Sequence, residues 1–174
     1  MPTDQGDPIG SKMKLLTSAR NTAIDYAKNG WSVLPVLPKK KDPHFDLVKN
    51  AYLSATTDIE LINFWFDFDE KINIGIACKQ SGLIVFDIDY RNGGELSDIF
   101  QPTYTVKTGD GIHLYYKAPK GVEFKGGLEQ GIDIKFKGYV VAAPSLHPNG
   151  SRYEVIDSRN PIEISDDLLE EVSK

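Results

Sequence analysis

The chain has 174 residues, of which 20 are Lys or Arg and 25 are Asp or Glu, for a formal net charge of −5. At 40% hydrophobic and 26% charged it is too apolar for a disordered chain, and no apolar run approaches the length that spans a bilayer. The single cysteine, Cys78, excludes an internal disulfide framework and a cysteine-rich zinc site, and the polar opening Met1 to Lys12 is no secretory signal, so a cytoplasmic setting is expected.

Pro2–Ser11 is small, polar and proline-bearing, which predicts a flexible leader over residues 1–12 and one folded domain over 13–174. From Lys14 onward Leu15, Ala19, Ala23 and Ala27 recur at helical spacing, with Leu16, Ile24 and Tyr26 beside them, and Gly30 predicts the end of that helix. Trp31 to Leu37 follows as a short strand whose Pro35 places it at an edge or a bulge. Lys39-Lys40-Lys41 opens a basic loop. A second helix is expected from Thr57 or Asp58, with Glu60 in its first turn and the stripe Phe64, Trp65 and Phe68 facing the core.

Short β-rich segments then alternate with glycine-bearing turns: Asn73–Cys78, Gly82–Asp89, Thr103–Thr108, Ile112–Lys117, Ile132–Lys137, Tyr139–Ala142 and Arg152–Ile156. A last helix is expected after Ser165, where Asp166 and Asp167 complement the helix dipole. Helices first and strands after them predict an α+β fold, a mostly antiparallel sheet with helices packed on one face.

The clearest chemical signal is Leu83-Ile-Val-Phe-Asp-Ile-Asp89. Residues i and i+2 of a strand share a face, so Asp87 and Asp89 point together with Cα atoms roughly 7 Å apart. Such carboxylates repel each other unless solvated, bridged by a hard cation such as Mg²⁺ or Mn²⁺, or partly protonated. Two further strands carry the same kind of face. Ile132 to Lys137 alternates strictly, with Asp133, Lys135 and Lys137 on one side, and Ile112 to Lys117 aligns His113, Tyr115 and Lys117. If the three strands are neighbours, one face gathers acids that hold metal and bases that hold phosphate; otherwise these are the wet faces of an amphipathic sheet.

Weaker signals surround these. The turn Lys107-Thr108-Gly109-Asp110-Gly111 precedes His113 and can bring backbone N–H groups close to an anion, although it is no Walker A loop. Ser145 and His147 lie in Pro144-Ser-Leu-His-Pro-Asn-Gly150 and could donate to phosphate oxygens, and Asn73 could contact a sugar or base. Lys39, Lys40 and Lys41 are candidates for a template backbone. Cys78 reads as a small buried apolar residue. The acidic total does not exclude a nucleic-acid partner, because residues 101–152 carry 7 basic against 4 acidic side chains while residues 153–174 carry 2 against 7.

Taken in order, these motifs resemble the N-terminal catalytic domain of bifunctional DNA primase-polymerases, in the archaeo-eukaryotic primase superfamily. The resemblance runs from about Ala23 to Tyr153 and rests on the ordered set Tyr26-Ala-Lys-Asn-Gly-Trp-Ser-Val-Leu-Pro-Val, Lys41-Asp-Pro, Asn73-Ile-Gly-Ile, Gly82-Leu-Ile-Val-Phe-Asp-Ile-Asp, Thr108-Gly-Asp-Gly-Ile-His-Leu-Tyr-Tyr, Gly131-Ile-Asp-Ile-Lys and Tyr139-Val-Val-Ala-Ala-Pro-Ser-Leu-His-Pro-Asn-Gly. It implies an RNA-recognition-motif-like sheet backed by helices with a smaller αβ subdomain, so that residues 13–174 form a primase-polymerase catalytic domain.

The resemblance further implies Asp87, Asp89 and Asp133 as catalytic metal ligands for Mg²⁺ or Mn²⁺ and His113 as a contact to the nucleotide phosphates. Lys135, Thr108, Gly109, Ser145, His147 and Asn73 are the remaining nucleotide-binding candidates. Ala143 stands where the family usually has proline, and Phe136 where glycine-rich sequence often follows the basic residue. The implied partners are a DNA template and primer, dNTP or NTP, and a helicase or helical-bundle domain outside this chain. Two other readings use the same residues: a metal-dependent nuclease or phosphodiesterase, and a non-catalytic single-strand-binding module with Tyr115 as a stacking platform.

Overall fold

The computed structural model describes residues 19–174; the expected leader and the helix start at Lys14–Ser18, with Leu15 and Leu16, lie outside the described residues. The first helix, α1, runs through residues 19–28 and gives way to a turn at Asn29 and Gly30, where Gly30 adopts φ +86°. Helix α2 is Ile59–Phe68, and the Asp58 carboxylate caps it by accepting the backbone N–H groups of Glu60 and Leu61. Helix α3 is Asp166–Val172, capped by the Ser165 side chain on the Leu168 N–H. Both caps stand where the sequence predicts them. Among the described residues no helix is long and apolar enough to cross a membrane.

The strands are β1 (Val33–Val36), β2 (Asn73–Ala77), β3 (Leu83–Asp89), β4 (Tyr104–Lys107), β5 (Gly111–Lys117), β6 (Gly127–Glu129), β7 (Ile132–Lys135), β8 (Tyr139–Val141) and β9 (Glu154–Asp157). They form a three-stranded sheet in the order β1-β2-β8 and a six-stranded sheet in the order β6-β7-β3-β5-β4-β9, with every ladder antiparallel. Among the described residues, three α-helices and two antiparallel sheets make the protein α+β. Pro35 lies on β1, an edge strand, where its missing N–H costs no ladder bond. Strand β6 was not expected: it is three residues long and largely exposed, and carries no apolar alternation.

Strand β3 separates two cores, and this decides where the site can be. Leu83 and Val85 enter a core built with α1, α2, the three-stranded sheet and Tyr104, Val106 and Tyr115. Ile84, Phe86 and Ile88 enter a second core with Tyr116, Phe124, Ile132, Ile134 and the α3 residues Leu168 and Val172. With apolar layers on both faces, the six-stranded sheet has no wet face along its middle. The α2 stripe differs from expectation. Trp65 is buried with Ile62 and Phe66, whereas Phe64 and Phe68 are 56% and 58% exposed. Helical spacing finds a stripe, but the side that packs is set by the sheet beneath it.

Candidate active site

The face of β3 that is core at Leu83 and Val85 becomes polar at Asp87 and Asp89, where it opens into a cleft walled by β8. The register then brings the other strands' polar residues to the same place. Asp87 is directly opposite His113 on β5 and directly opposite Asp133 on β7. Directly opposed residues share a face, with Cβ atoms about 4.5–5.5 Å apart. Asp133, Asp87 and His113 thus form one row across three strands. Asp89 lies one step further along β3, opposite Gly111, and Lys135 lies one step back, opposite Val85.

His113 is buried, with Nε2 3.5 Å from Asp87 Oδ1, and Lys135 Nζ is 3.9 Å from Asp133 Oδ2. Burial by itself would raise the Asp87 carboxyl, but the His113 hydrogen bond and charge, with Lys135 and Lys41 behind them, outweigh it and hold the group below its ordinary value. A carboxyl depressed in the fold contributes stability above its unfolded pKa and loses it as pH falls through the folded one. Asp87 is therefore ionised throughout the neutral range. Its side-chain carboxyl carbon, followed by NMR, is expected to titrate with a midpoint below 3.8. A midpoint above that value would show that burial dominates instead.

The Asp89 side chain is tied into the turn that follows it. Its Oδ1 accepts the backbone N–H groups of Arg91 and Asn92 at 3.0 and 3.3 Å, and its Oδ2 accepts Asn92 Nδ2 at 2.7 Å. That turn brings Arg91 across the cleft, with Nη2 3.9 Å from Asp89 Oδ2 and 3.5 Å from Asp110 Oδ2. The β4–β5 turn supplies Asp110, closed by the Gly111 N–H donating to Thr108 Oγ1. His147, from the loop after β8, reaches Asp110 from the other side.

Two adjoining cavities result, of about 40 and about 220 Å³, and Lys41, Asp87, His113 and Tyr153 line both. Lys41 is held there because the Tyr139 hydroxyl on β8 donates to its carbonyl. Tyr153 is buried and packs near both histidines, its ring 6.1 Å from that of His113 and 5.7 Å from that of His147. Burial and then the charges of Asp87 and Asp110 push its phenol up, so it stays protonated.

Three expectations are corrected here. Asn73 is buried with its amide fully engaged, Nδ2 donating to the carbonyls of Lys40 and Leu146 and Oδ1 accepting the Leu146 N–H; it ties two loops together and lines neither cavity. Ser145 likewise accepts the Ile74 N–H at 2.8 Å and lines a separate apolar cavity. Tyr115 is completely buried in the first core and offers no stacking face. Of the three loop lysines only Lys41 reaches the cleft, while Lys40 is exposed and Lys39 lines the separate cavity. Arg91, Asp110 and Tyr153 were not expected at the site. Asp110 lies inside the Lys107–Gly111 turn, Arg91 lies two residues beyond the Asp87/Asp89 motif, and nothing in the spacing marks Tyr153.

Among the described residues no three His, Cys, Asp or Glu side chains already close on a metal ion. The donor set nevertheless fits a hard divalent cation. Asp133 is 68% exposed and faces a single ammonium group at 3.9 Å, so its oxygens are available, and Asp87 beside it is ionised. Asp89 uses three of a carboxylate's roughly four lone-pair sites on its turn, which leaves one.

With fold and cleft in view, the family assignment is direct. The bifunctional DNA primase/polymerase N-terminal family, Prim-Pol, matches residues 23–167, and the chain belongs to it. That family consists of DNA primase/polymerase-type nucleotidyltransferases and is generally metal-dependent. The match extends past the motifs into α3. No curated protein sequence matches the chain.

Proposed function

We propose that this chain extends, and also initiates, nucleic-acid strands on a DNA template by nucleotidyl transfer from nucleoside triphosphates. The observation that supports it most is the row Asp133, Asp87 and His113 across three adjacent strands, with Lys135 and Lys41 flanking it. Asp87, Asp89 and Asp133 would hold Mg²⁺ or Mn²⁺. Bound there, such ions would supply charge that lowers the pKa of a primer 3′-hydroxyl and offsets charge on the leaving pyrophosphate.

The chain's own residues bind and orient the triphosphate. His113, Lys135 and Lys41 supply donors and positive charge along the cleft, and Thr108, Gly109 and His147 form its next turn. Tyr153 remains neutral and excludes water between the two histidines. Lys39 and Lys40 meet the strand's phosphates outside the cleft, so DNA binding weakens steeply with salt.

The test is primer extension with labelled dNTPs and Mg²⁺ or Mn²⁺, with a template-only arm for initiation. Incorporation that EDTA abolishes is expected. Cleavage of DNA in the absence of any triphosphate would instead indicate a nuclease. Strand binding that EDTA leaves intact, without incorporation, would indicate a binding module.

A further inference from the structure

The β4–β5 turn sets a fourth carboxylate, Asp110, against the cleft, with no part in the row of Asp133, Asp87 and His113. Its Oδ2 lies 3.5 Å from Arg91 Nη2 and 3.8 Å from His147 Nε2. The two nitrogens of His147 have different duties. Nδ1 accepts the backbone N–H of Asn149 at 3.1 Å, so the neutral ring carries its proton on Nε2. The ring is also fixed in place: it is 8% exposed, packs against Tyr153, and lies so close to Gly109 that a Cβ there would come within 2.4 Å of Nδ1. His147 therefore has one donor to offer, and that donor faces Asp110. It can serve Asp110 or a phosphate oxygen, but not both well.

Space gives the second argument. The cavity lined by Asp110, Arg91 and His147 is about 40 Å³, room for a water molecule or so but far too small for a triphosphate. A phosphate that reaches His147 from the adjoining cavity of about 220 Å³ must move part of this wall. The Arg91–Asp110 pair is the easiest part to open, because Arg91 is 69% exposed and such pairs hold weakly.

We propose that Asp110 is an exchangeable internal anion. Without nucleotide its charge faces the His147 Nε2–H at 3.8 Å and the Arg91 guanidinium at 3.5 Å; on binding, the triphosphate takes over both donors while the Asp110 charge remains nearby and opposes it. Asp110 thus sets nucleotide affinity. This inference rests on the function proposed above.

The experiment measures dATP binding in Mn²⁺ and the KM for dATP in primer extension, for the wild type and Asp110→Asn. Asn keeps the acceptor and the shape but removes the charge. Binding is expected to tighten about five- to tenfold, with KM falling in parallel. Asp110→Ser, which removes the charge without the amide, moves in the same direction. In a His147→Ala background the gain from Asp110→Asn shrinks by at least about half, because the shared donor is gone. Unchanged or weaker binding by both Asp110 variants, beside a wild type that binds and incorporates dATP, overturns this inference alone. A wild type that neither binds nor incorporates dATP overturns the proposed function with it.

Discussion

Replacing Asp87 by Ala is expected to lower nucleotide incorporation by about 10³-fold or more while the protein stays folded. The size of the loss follows from the position of Asp87 in the cleft. It is the one carboxylate that touches both halves of the site, opposite Asp133 on one neighbouring strand and opposite His113 on the other. Its removal takes an ionised carboxylate that the proposed function makes a metal ligand, and leaves the His113 Nε2 without the oxygen it faces at 3.5 Å. Stability changes little because two effects oppose each other. The native fold favours ionised Asp87 through His113, Lys135 and Lys41, yet burying that carboxylate costs it hydration. A melting temperature within about 4 °C of wild type, equivalent to about 1 kcal/mol in a chain of this size, is expected. Asp87→Asn keeps the shape and is expected to be as inactive, which assigns the loss to charge. A variant that retains near-wild-type incorporation would remove Asp87 from the chemistry.

Gly111→Ala is expected to produce the largest loss of stability of any single methyl group added near the site. A Cβ at Gly111 would lie 1.8 Å from the Ile88 carbonyl oxygen, a backbone atom of the central strand that no rotamer change can move aside. The β3–β5 ladder would have to part where Asp89 faces Gly111, so the cost is about 3 kcal/mol or more, a fall of roughly 6–12 °C in melting temperature. Gly30→Ala is the control. Gly30 has positive φ but nothing within 4 Å of an added Cβ, so only the backbone preference is lost, about 1 kcal/mol. Thermal denaturation of the two variants side by side measures the difference. Equal melting temperatures would mean that the strands separate there at little cost.

The pairing of Asp87 with Asp89, and of Asp133 with Lys135, on one face was legible because strand periodicity is a short-range property. Asp87 and Asp89 share a face whatever else the chain does, and so do Asp133 and Lys135. What periodicity cannot supply is which strands become neighbours and in what register, and the row of Asp133, Asp87 and His113 depends on both. The misplaced residues fail for a related reason. Asn73 and Ser145 look like free polar groups in sequence, but their partners are backbone atoms of residues 33 to 73 positions away along the chain. Tyr115 alternates correctly with His113, yet that face is wet only at its end and is core at Tyr115. Arg91 and Asp110 meet only because the turns after β3 and before β5 lie side by side, joined by the Tyr90 N–H on the Asp110 carbonyl at 3.1 Å.

Joint ligation of divalent ions by carboxylates from separate strands is the claim from which the mechanism follows, and Asp133 tests it most directly. Mn²⁺ binding followed by electron paramagnetic resonance, beside incorporation at saturating Mn²⁺, compares the wild type with Asp133→Ala. Asp133 is 68% exposed and its loss leaves the fold intact, so a fall in Mn²⁺ affinity together with incorporation is the predicted result. Wild-type Mn²⁺ affinity and wild-type incorporation in Asp133→Ala would contradict it.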